Sequence, residues 1–194
     1  MSAFWHWSLA VLAAYLIGSF PSGVVMSTVI GGPDVRYHGS RNTGGTNTMR
    51  LMGLTAGATV VVLDGLKGLL AWVATYTIME GSPWALPIAG VMAIIGHCWP
   101  IYTKFHGGLG LATAGGLLLV VSPLTVPIFL LFWAIFFVGI FRRTYSPRSV
   151  VFSLIISATL SIYLLSLTMP MTLFLISIVI ILGVRHIPEW NRVV

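Results

Sequence analysis

Long apolar runs alternate with short polar connections along this chain. A helix rises about 1.5 Å per residue, so about 20 apolar residues cross the roughly 30 Å hydrocarbon core of a bilayer. The pattern predicts spans at 7–30, 54–77, 84–101, 111–121, 124–141, 149–167 and 170–184. The fourth is too short to cross unaided and is expected to be tilted or half-inserted, held by its neighbours. The first is too long for a signal-peptide core and has no basic stretch ahead of it, so it is expected to be retained. The fold class expected is an all-α integral membrane protein, a bundle of about seven transmembrane helices. No repeat, linker or separate soluble domain fits in 194 residues, so 1–194 is expected to be a single transmembrane domain.

Composition supports lipid exposure. Apolar residues make up 57% of the chain and charged residues 7%, where a soluble domain carries about 25% charged. Mean hydropathy is +0.99. The net charge of +6 is not gathered into a basic run that could follow a phosphate backbone, which argues against nucleic acid. It is instead distributed by topology. Arg36, Arg41, Arg50, Lys104, Arg142, Arg143, Arg148, Arg185 and Arg192 fall in one set of connections; the N-terminus, 80–83, 122–123 and 168–169 have no lysine or arginine. The positive-inside rule then predicts an external N-terminus and a cytoplasmic C-terminus. The single cysteine, Cys98, excludes an intrachain disulfide and argues against a cysteine-based metal site.

Two charges fall inside a span, Asp64 and Lys67, three residues apart and therefore on one helix face. Ionisable groups in a bilayer are costly, so the pair is expected to face the bundle, as a structural pair or as part of a site.

Three polar segments lie on the basic side. The first is His38-Gly39-Ser40-Arg41-Asn42-Thr43-Gly44-Gly45-Thr46-Asn47-Thr48-Met49-Arg50. Its glycines permit turns that aim several N–H groups at one anion. Ser40, Asn42, Thr46 and Asn47 add neutral donors, and Arg41 and Arg50 add forked charge. It holds no carboxylate, so a phosphate suits it and a divalent metal does not. An ordinary polar loop would have a similar composition.

The second is Gly96-His97-Cys98-Trp99-Pro100, followed by Lys104-Phe105-His106-Gly107-Gly108-Leu109-Gly110-Leu111-Ala112-Thr113. Gly107, Gly108 and Gly110 precede an apolar helix whose N-terminus can hold an anion, although close packing alone also calls for glycine. His97 by itself reads as a buried, hydrogen-bonded histidine. The third is Arg185-His186-Ile187-Pro188-Glu189-Trp190-Asn191-Arg192, otherwise a juxtamembrane anchor. Ser149, in Ser146-Pro147-Arg148-Ser149, opens the sixth span and could simply be a cap.

In order and spacing these segments, with Gly18-Ser19-Phe20-Pro21-Ser22-Gly23 and Asp64…Lys67-Gly68, resemble the bacterial acyl-phosphate-dependent glycerol-3-phosphate acyltransferases of the PlsY family. The resemblance covers nearly the whole chain. It implies a seven-helix membrane fold in the bacterial inner membrane, with its site near the cytoplasmic face, that moves an acyl chain from acyl phosphate to glycerol 3-phosphate in phospholipid synthesis. Lysophosphatidate and phosphate are the products. It implies Ser40 and His186 as catalytic residues. It implies Asn42, Thr46, Asn47, Arg50, Lys104, Gly107, Gly108, Gly110 and Ser149 as substrate-binding, and Asp64, Lys67 and His97 as structural support. No metal or other cofactor is implied, and a monomer among membrane lipids is expected.

The chain departs from the family pattern at named positions. Where the glycine loop usually carries two lysines, His106 and Leu109 stand; Glu189 stands where an asparagine usually follows the histidine. Losing one charge-assisted phosphate contact costs roughly 1.5–3 kcal/mol, which Lys104, Arg50 or Arg148 could offset. Two alternatives stay open: a diverged or weakened family member using another acceptor, and a non-enzymatic anion transporter built from glycine-broken helices.

Overall fold

The computed structural model describes residues 3–141 and 146–191, so Arg142, Arg143 and Arg192 of the basic set lie outside the described residues. Among the described residues the regular structure is all helical. Five helical runs are long and apolar enough to cross a membrane: Phe4–Val29, Leu54–Ile78, Ala85–Thr103, Pro147–Leu164 and Met169–Glu189. Leu111–Val121 and Thr125–Ile140 are shorter apolar helices. The seven apolar runs are thus all helical, and five reach spanning length.

The chain divides into two compact units, Met1–Leu117 and Leu118–Val194. The first holds α1 (Ala3–Gly18), α2 (Ser22–Val29), α3 (Gly45–Met52), α4 (Leu54–Ile78) and α5 (Ala85–Cys98). A 3₁₀ turn at Ile101–Thr103 follows, and α6 (Leu111–Val121) begins there. The span expected as one helix at 7–30 is broken between α1 and α2. Pro21 has no N–H and its ring would clash with the carbonyl four residues back, so the ladder cannot run through it. The chain turns instead, with Phe20 N–H reaching Ile17 O at 3.2 Å and Ser19 Oγ donating to Tyr15 O at 2.8 Å.

Small residues let these helices approach closely. Ala10, Ala14, Ala71, Ala85 and Ala93 are fully buried where α1, α4 and α5 meet. Gly18 lies against the Ala93 backbone, and Gly96 against Tyr15 O and Ser19 N, with no room for a Cβ at either glycine. Between helices that face lipid, close approach of small residues replaces the hydrophobic driving force available in water. Gly65 against Gly116 and Gly68 against Thr113 bring α6 onto α4 in the same way.

The second unit holds α7 (Thr125–Ala134), which continues as a π-helical turn over Ile135–Ile140, then α8 (Ser146–Leu164) and α9 (Met169–His186). A 3₁₀ turn at Ile187–Glu189 ends the regular structure. Ser149, Ser153, Ser157 and Ser161 recur every four residues on α8 and are all buried. That spacing sets them on one face.

Candidate functional site

The first polar segment is only partly a loop. Its second half is the short helix α3, which begins at Gly45 and places Thr46, Asn47 and Arg50 on helical positions. The glycine content hid this helix, whose buried face is Gly45, Asn47 and Thr48. Gly45 packs on the Gly57 carbonyl and the Val61 side chain of α4, a crossing that requires glycine on both helices. Among the described residues no side chain caps the α3 N-terminus at Gly44, and the first N–H groups of a helix have no acceptor within it.

Asn47 organises the loop ahead of it. Its Oδ1 accepts the Ser40 N–H at 2.8 Å, and Nδ2 donates to Val35 O, His38 O and Asn42 O at 3.0, 3.1 and 3.0 Å. The side chain is buried. The structure therefore sets Asn47 to hold the loop, with Ser40 and Asn42 as what it holds. Thr46 and Arg50 are exposed, and the Arg50 guanidinium has no ion-pair partner among the described residues. Upstream, Arg36 pairs with Asp34 at 2.6 Å. Hydrogen bonding from Arg36 holds the Asp34 carboxyl below its ordinary range, and the same bond raises Arg36. The carboxylate next to the loop is thereby neutralised.

The second polar segment meets the first through the backbone. Thr43 N–H donates to Gly107 O at 3.4 Å. Gly107 in turn sits on the carbonyls of His97 and Cys98 and on the Pro100 ring, and Gly108 N–H donates to His97 O at 3.1 Å. Gly108 also lies against the His97 imidazole, leaving no space for a Cβ. Gly110, at φ 85°, starts α6 in a conformation suited to glycine. Arg41, Lys104 and Phe105 adopt the left-handed region at φ 61°, 53° and 64°. Such strain in non-glycine residues persists only where surrounding contacts impose it, and here it concentrates in the two joined loops. Lys104 is exposed, and Leu109 is half-buried between the buried Gly108 and Gly110.

Beneath these loops runs a buried polar chain. Lys67 Nζ lies 2.9 Å from Asp64 Oδ1 and donates to Phe20 O at 3.1 Å, a carbonyl that also accepts the Ser22 N–H at the break before α2. His97 Nδ1 lies 3.6 Å from Asp64 Oδ1 and 3.2 Å from Thr113 Oγ1. Asp64 and Lys67 thus support His97, whose backbone and ring form the floor of the glycine turn. Thr43, Thr113 and the Phe20 carbonyl were not singled out by the sequence reading. Phe20 stands within Gly18-Ser19-Phe20-Pro21-Ser22-Gly23, Thr43 within the first polar segment and Thr113 at the end of the second, but their part follows from position.

The second unit carries the other two candidates. His186 ends α9 and is buried, with Nδ1 2.6 Å from Leu182 O. A carbonyl only accepts, so Nδ1 bears the proton and Nε2 of the neutral ring is an acceptor. That Nε2 is buried without a partner among the described residues. Ser149 is fully buried on the first turns of α8, and its carbonyl accepts the Ser153 hydroxyl at 2.5 Å. Glu189 closes the 3₁₀ turn three residues after His186. Among the described residues no group of three or more His, Cys, Asp or Glu is placed to hold a metal ion.

Comparison with known proteins bears on this arrangement. The profile of the family described as "Glycerol-3-phosphate acyltransferase" matches residues 8–194. A relative named glycerol-3-phosphate acyltransferase 2, from Moorella thermoacetica, is 43% identical over 148 residues, covering 75% of this chain and 73% of the relative. The Bacillus subtilis glycerol-3-phosphate acyltransferase is 38% identical over 177 residues, covering 87% and 88%. The crystal structure of PlsY, an integral membrane glycerol 3-phosphate acyltransferase in its glycerol 3-phosphate form, superposes with a TM-score of 0.79 at 29% identity. It spans 94% of this chain and 89% of that one.

Proposed function

The chain belongs to the glycerol-3-phosphate acyltransferase family, and from that premise we propose that it transfers a fatty acyl group from acyl phosphate to glycerol 3-phosphate, giving lysophosphatidate and inorganic phosphate. It is an integral membrane acyltransferase of phospholipid synthesis. We place it in the bacterial inner membrane as a monomer, a single acyltransferase domain with its N-terminus outside and its polar loops at the cytoplasmic face.

The observation that carries this reading is the Thr43–Gly107 hydrogen bond, which joins two glycine-rich loops within one unit. Both substrates are phosphates, and the joined loops supply donors suited to them: the α3 N-terminus, the Ser40 and Asn42 loop, Thr46, Arg50, Lys104 and the turn at Gly107–Gly110. Acyl phosphate is already activated, so positioning and charge stabilisation are the main work left to the protein. The acceptor hydroxyl attacks the acyl carbon, the new C–O bond forms, and the bond to phosphate breaks with its electron pair leaving on phosphate. The hydroxyl proton goes to the departing phosphate, whose oxygens become more basic as the bond breaks. His186, with Nε2 left as acceptor by the Leu182 hydrogen bond, is proposed to orient a substrate or help manage that proton. Ser40 holds the reacting centre and Ser149 contributes to substrate binding.

Purified protein supplied with acyl phosphate and glycerol 3-phosphate is expected to form lysophosphatidate and release phosphate. Absence of both products in a competent lipid or detergent environment overturns the reading. A second reading rests on Leu109, half-buried in the glycine turn where the family carries a lysine: the chain prefers another phosphorylated or hydroxylated acceptor. Leu109→Lys then raises glycerol 3-phosphate turnover or tightens its KM; an unchanged or lower value removes that reading.

A further inference from the structure

Helix α5 ends at Cys98, and a helix end leaves its last carbonyls without partners inside the helix. The glycine turn doubles back onto some of them. Gly108 N–H reaches His97 O at 3.1 Å, and Gly107 lies against the His97 and Cys98 carbonyls. The next carbonyl, Trp99 O, is met from a different helix. Tyr15 of α1 donates its phenol to it at 2.9 Å, from 84 positions earlier in the chain.

Trp99 is the pivot from which the turn leaves α5. It departs from helical geometry at φ −134° and ψ 69°, as the residue before a proline is disposed to do. Pro100 O then accepts Phe105 N–H at 2.9 Å and Thr103 N–H at 3.3 Å, and the Pro100 ring lies against Gly107. Gly107 O is in turn the acceptor for Thr43 N–H. The place of the Trp99 carbonyl therefore sets where the turn meets the first loop.

Tyr15 is itself firmly held. Its carbonyl accepts the Ser19 N–H at 2.9 Å and the Ser19 hydroxyl at 2.8 Å where α1 ends, and it lies against Gly96. Backbone and side chain of this one residue thus grip α5 at Gly96 and at Trp99, about one helical turn apart.

We propose that Tyr15 is a positioning residue for phosphate binding: its phenol holds the Trp99 carbonyl and so fixes the turn at 100–108 against the first loop. This rests on the substrate-binding role proposed above for Gly107, Gly108 and Gly110. A phenol that only satisfied its own hydrogen bond would leave the turn in place when removed.

The test compares Tyr15→Phe with Tyr163→Phe in purified, lipid-reconstituted full-length protein. Tyr163 is 82% exposed and controls for loss of a phenol. Tyr15→Phe keeps the ring and removes one donor. It is expected to raise KM for one or both phosphate substrates about threefold to tenfold, the size of one neutral hydrogen bond. Its kcat should stay within about twofold, and Tyr163→Phe should match wild type. Hydrogen exchange at 103–108 should rise in Tyr15→Phe, since the amides of Thr103, Phe105, His106 and Gly108 are bonded within the turn. Exchange at 85–95 should stay as in wild type. A lowered kcat with KM unchanged, or exchange raised equally at 85–95, would mark general loosening and overturn the proposal. So would unchanged exchange at 103–108. Wild-type protein that makes no lysophosphatidate would remove the acyl-transfer reading, while the exchange measurement still decides whether the phenol holds the turn.

Discussion

Lys67 Nζ sits 2.9 Å from Asp64 Oδ1 inside the apolar helix α4, both side chains almost wholly buried, and the same ammonium caps the Phe20 carbonyl where the first span breaks. One ion pair thus joins a helix interior to a helix break, and through His97 to the glycine turn.

Removing one partner of such a pair strands the other. Asp64→Ala leaves a buried ammonium with the Phe20 carbonyl but no counter-ion, and losing one partner costs about 3–5 kcal/mol in buried pairs. The double variant Asp64→Ala/Lys67→Met removes both charges and is expected to regain most of that loss. Thermal unfolding in detergent checks it. A single variant as stable as wild type, or a double variant no better than the single, would show that the pair does not hold the helices.

Much of this was legible in the sequence because lipid simplifies the pattern. Apolar runs give the helices directly, and Asp64 and Lys67 stand out as charges inside one run. The break at Pro21 was within reach of the same reading, since proline removes a ladder bond, but uniform hydropathy across 7–30 concealed it. α3 was concealed differently: Gly44 and Gly45 read as loop, whereas Gly45 is glycine because α4 passes against it. The tie between Thr43 and Gly107 is made by backbone atoms, which leave no residue-type signature. Asn47 was expected against substrate because asparagine is a donor in a phosphate-like loop, and its amide is instead spent on four backbone groups.

That placement makes Asn47 sensitive to charge. Asn47→Asp keeps the acceptor for Ser40 N–H but loses every donor and sets a carboxylate against the carbonyls of Val35, His38 and Asn42. Leaving or opposing buried acceptors costs about 1–3 kcal/mol, more where a charge is involved. The variant is expected to lose lysophosphatidate formation at least as severely as Asn47→Ala. Full activity in Asn47→Asp would mean that the loop does not depend on the amide.

Gly107 and Gly115 separate a required glycine from a dispensable one. A Cβ on Gly107 would fall on the His97 and Cys98 carbonyls and the Pro100 ring, mostly rigid neighbours, while one on Gly115 meets nothing within 4 Å. Gly107→Ala should shift the turn bonded to Thr43 and lower kcat/KM by about tenfold or more. Gly115→Ala gains helix propensity of up to about 1 kcal/mol and should keep activity. Comparable losses in the two would disconnect the turn from catalysis.

Acid should loosen the approach to the first loop by a small, assignable amount. Arg36 holds Asp34 below its ordinary value of 3.8, so the pair contributes above the unfolded value and its contribution is lost as pH falls through the lower folded value. Both side chains are about one-third exposed, which limits the effect to under about 1 kcal/mol. The unfolding midpoints of wild type and Asp34→Asn should differ at pH 6 and draw together progressively as pH falls below 3.8. A difference that does not shrink at all below pH 3.8 would assign it to something other than ionisation.

The serine row on α8 gives a prediction of opposite signs on one helix face. Ser153 Oγ donates to Ser149 O, whereas Ser161 Oγ is fully buried and has no partner among the described residues. A buried hydroxyl without a partner costs about 1–3 kcal/mol of desolvation, so Ser161→Ala removes a penalty and should raise stability by about 1 kcal/mol. Ser153→Ala gives up a bond already made and should lower it by about 0.5–1 kcal/mol. Both substitutions shorten the side chain by one oxygen, so packing changes are matched and the sign reports hydrogen bonding. Unfolding of the two variants in the same detergent decides it: a destabilised Ser161→Ala would mean that the hydroxyl has found a partner in the folded protein.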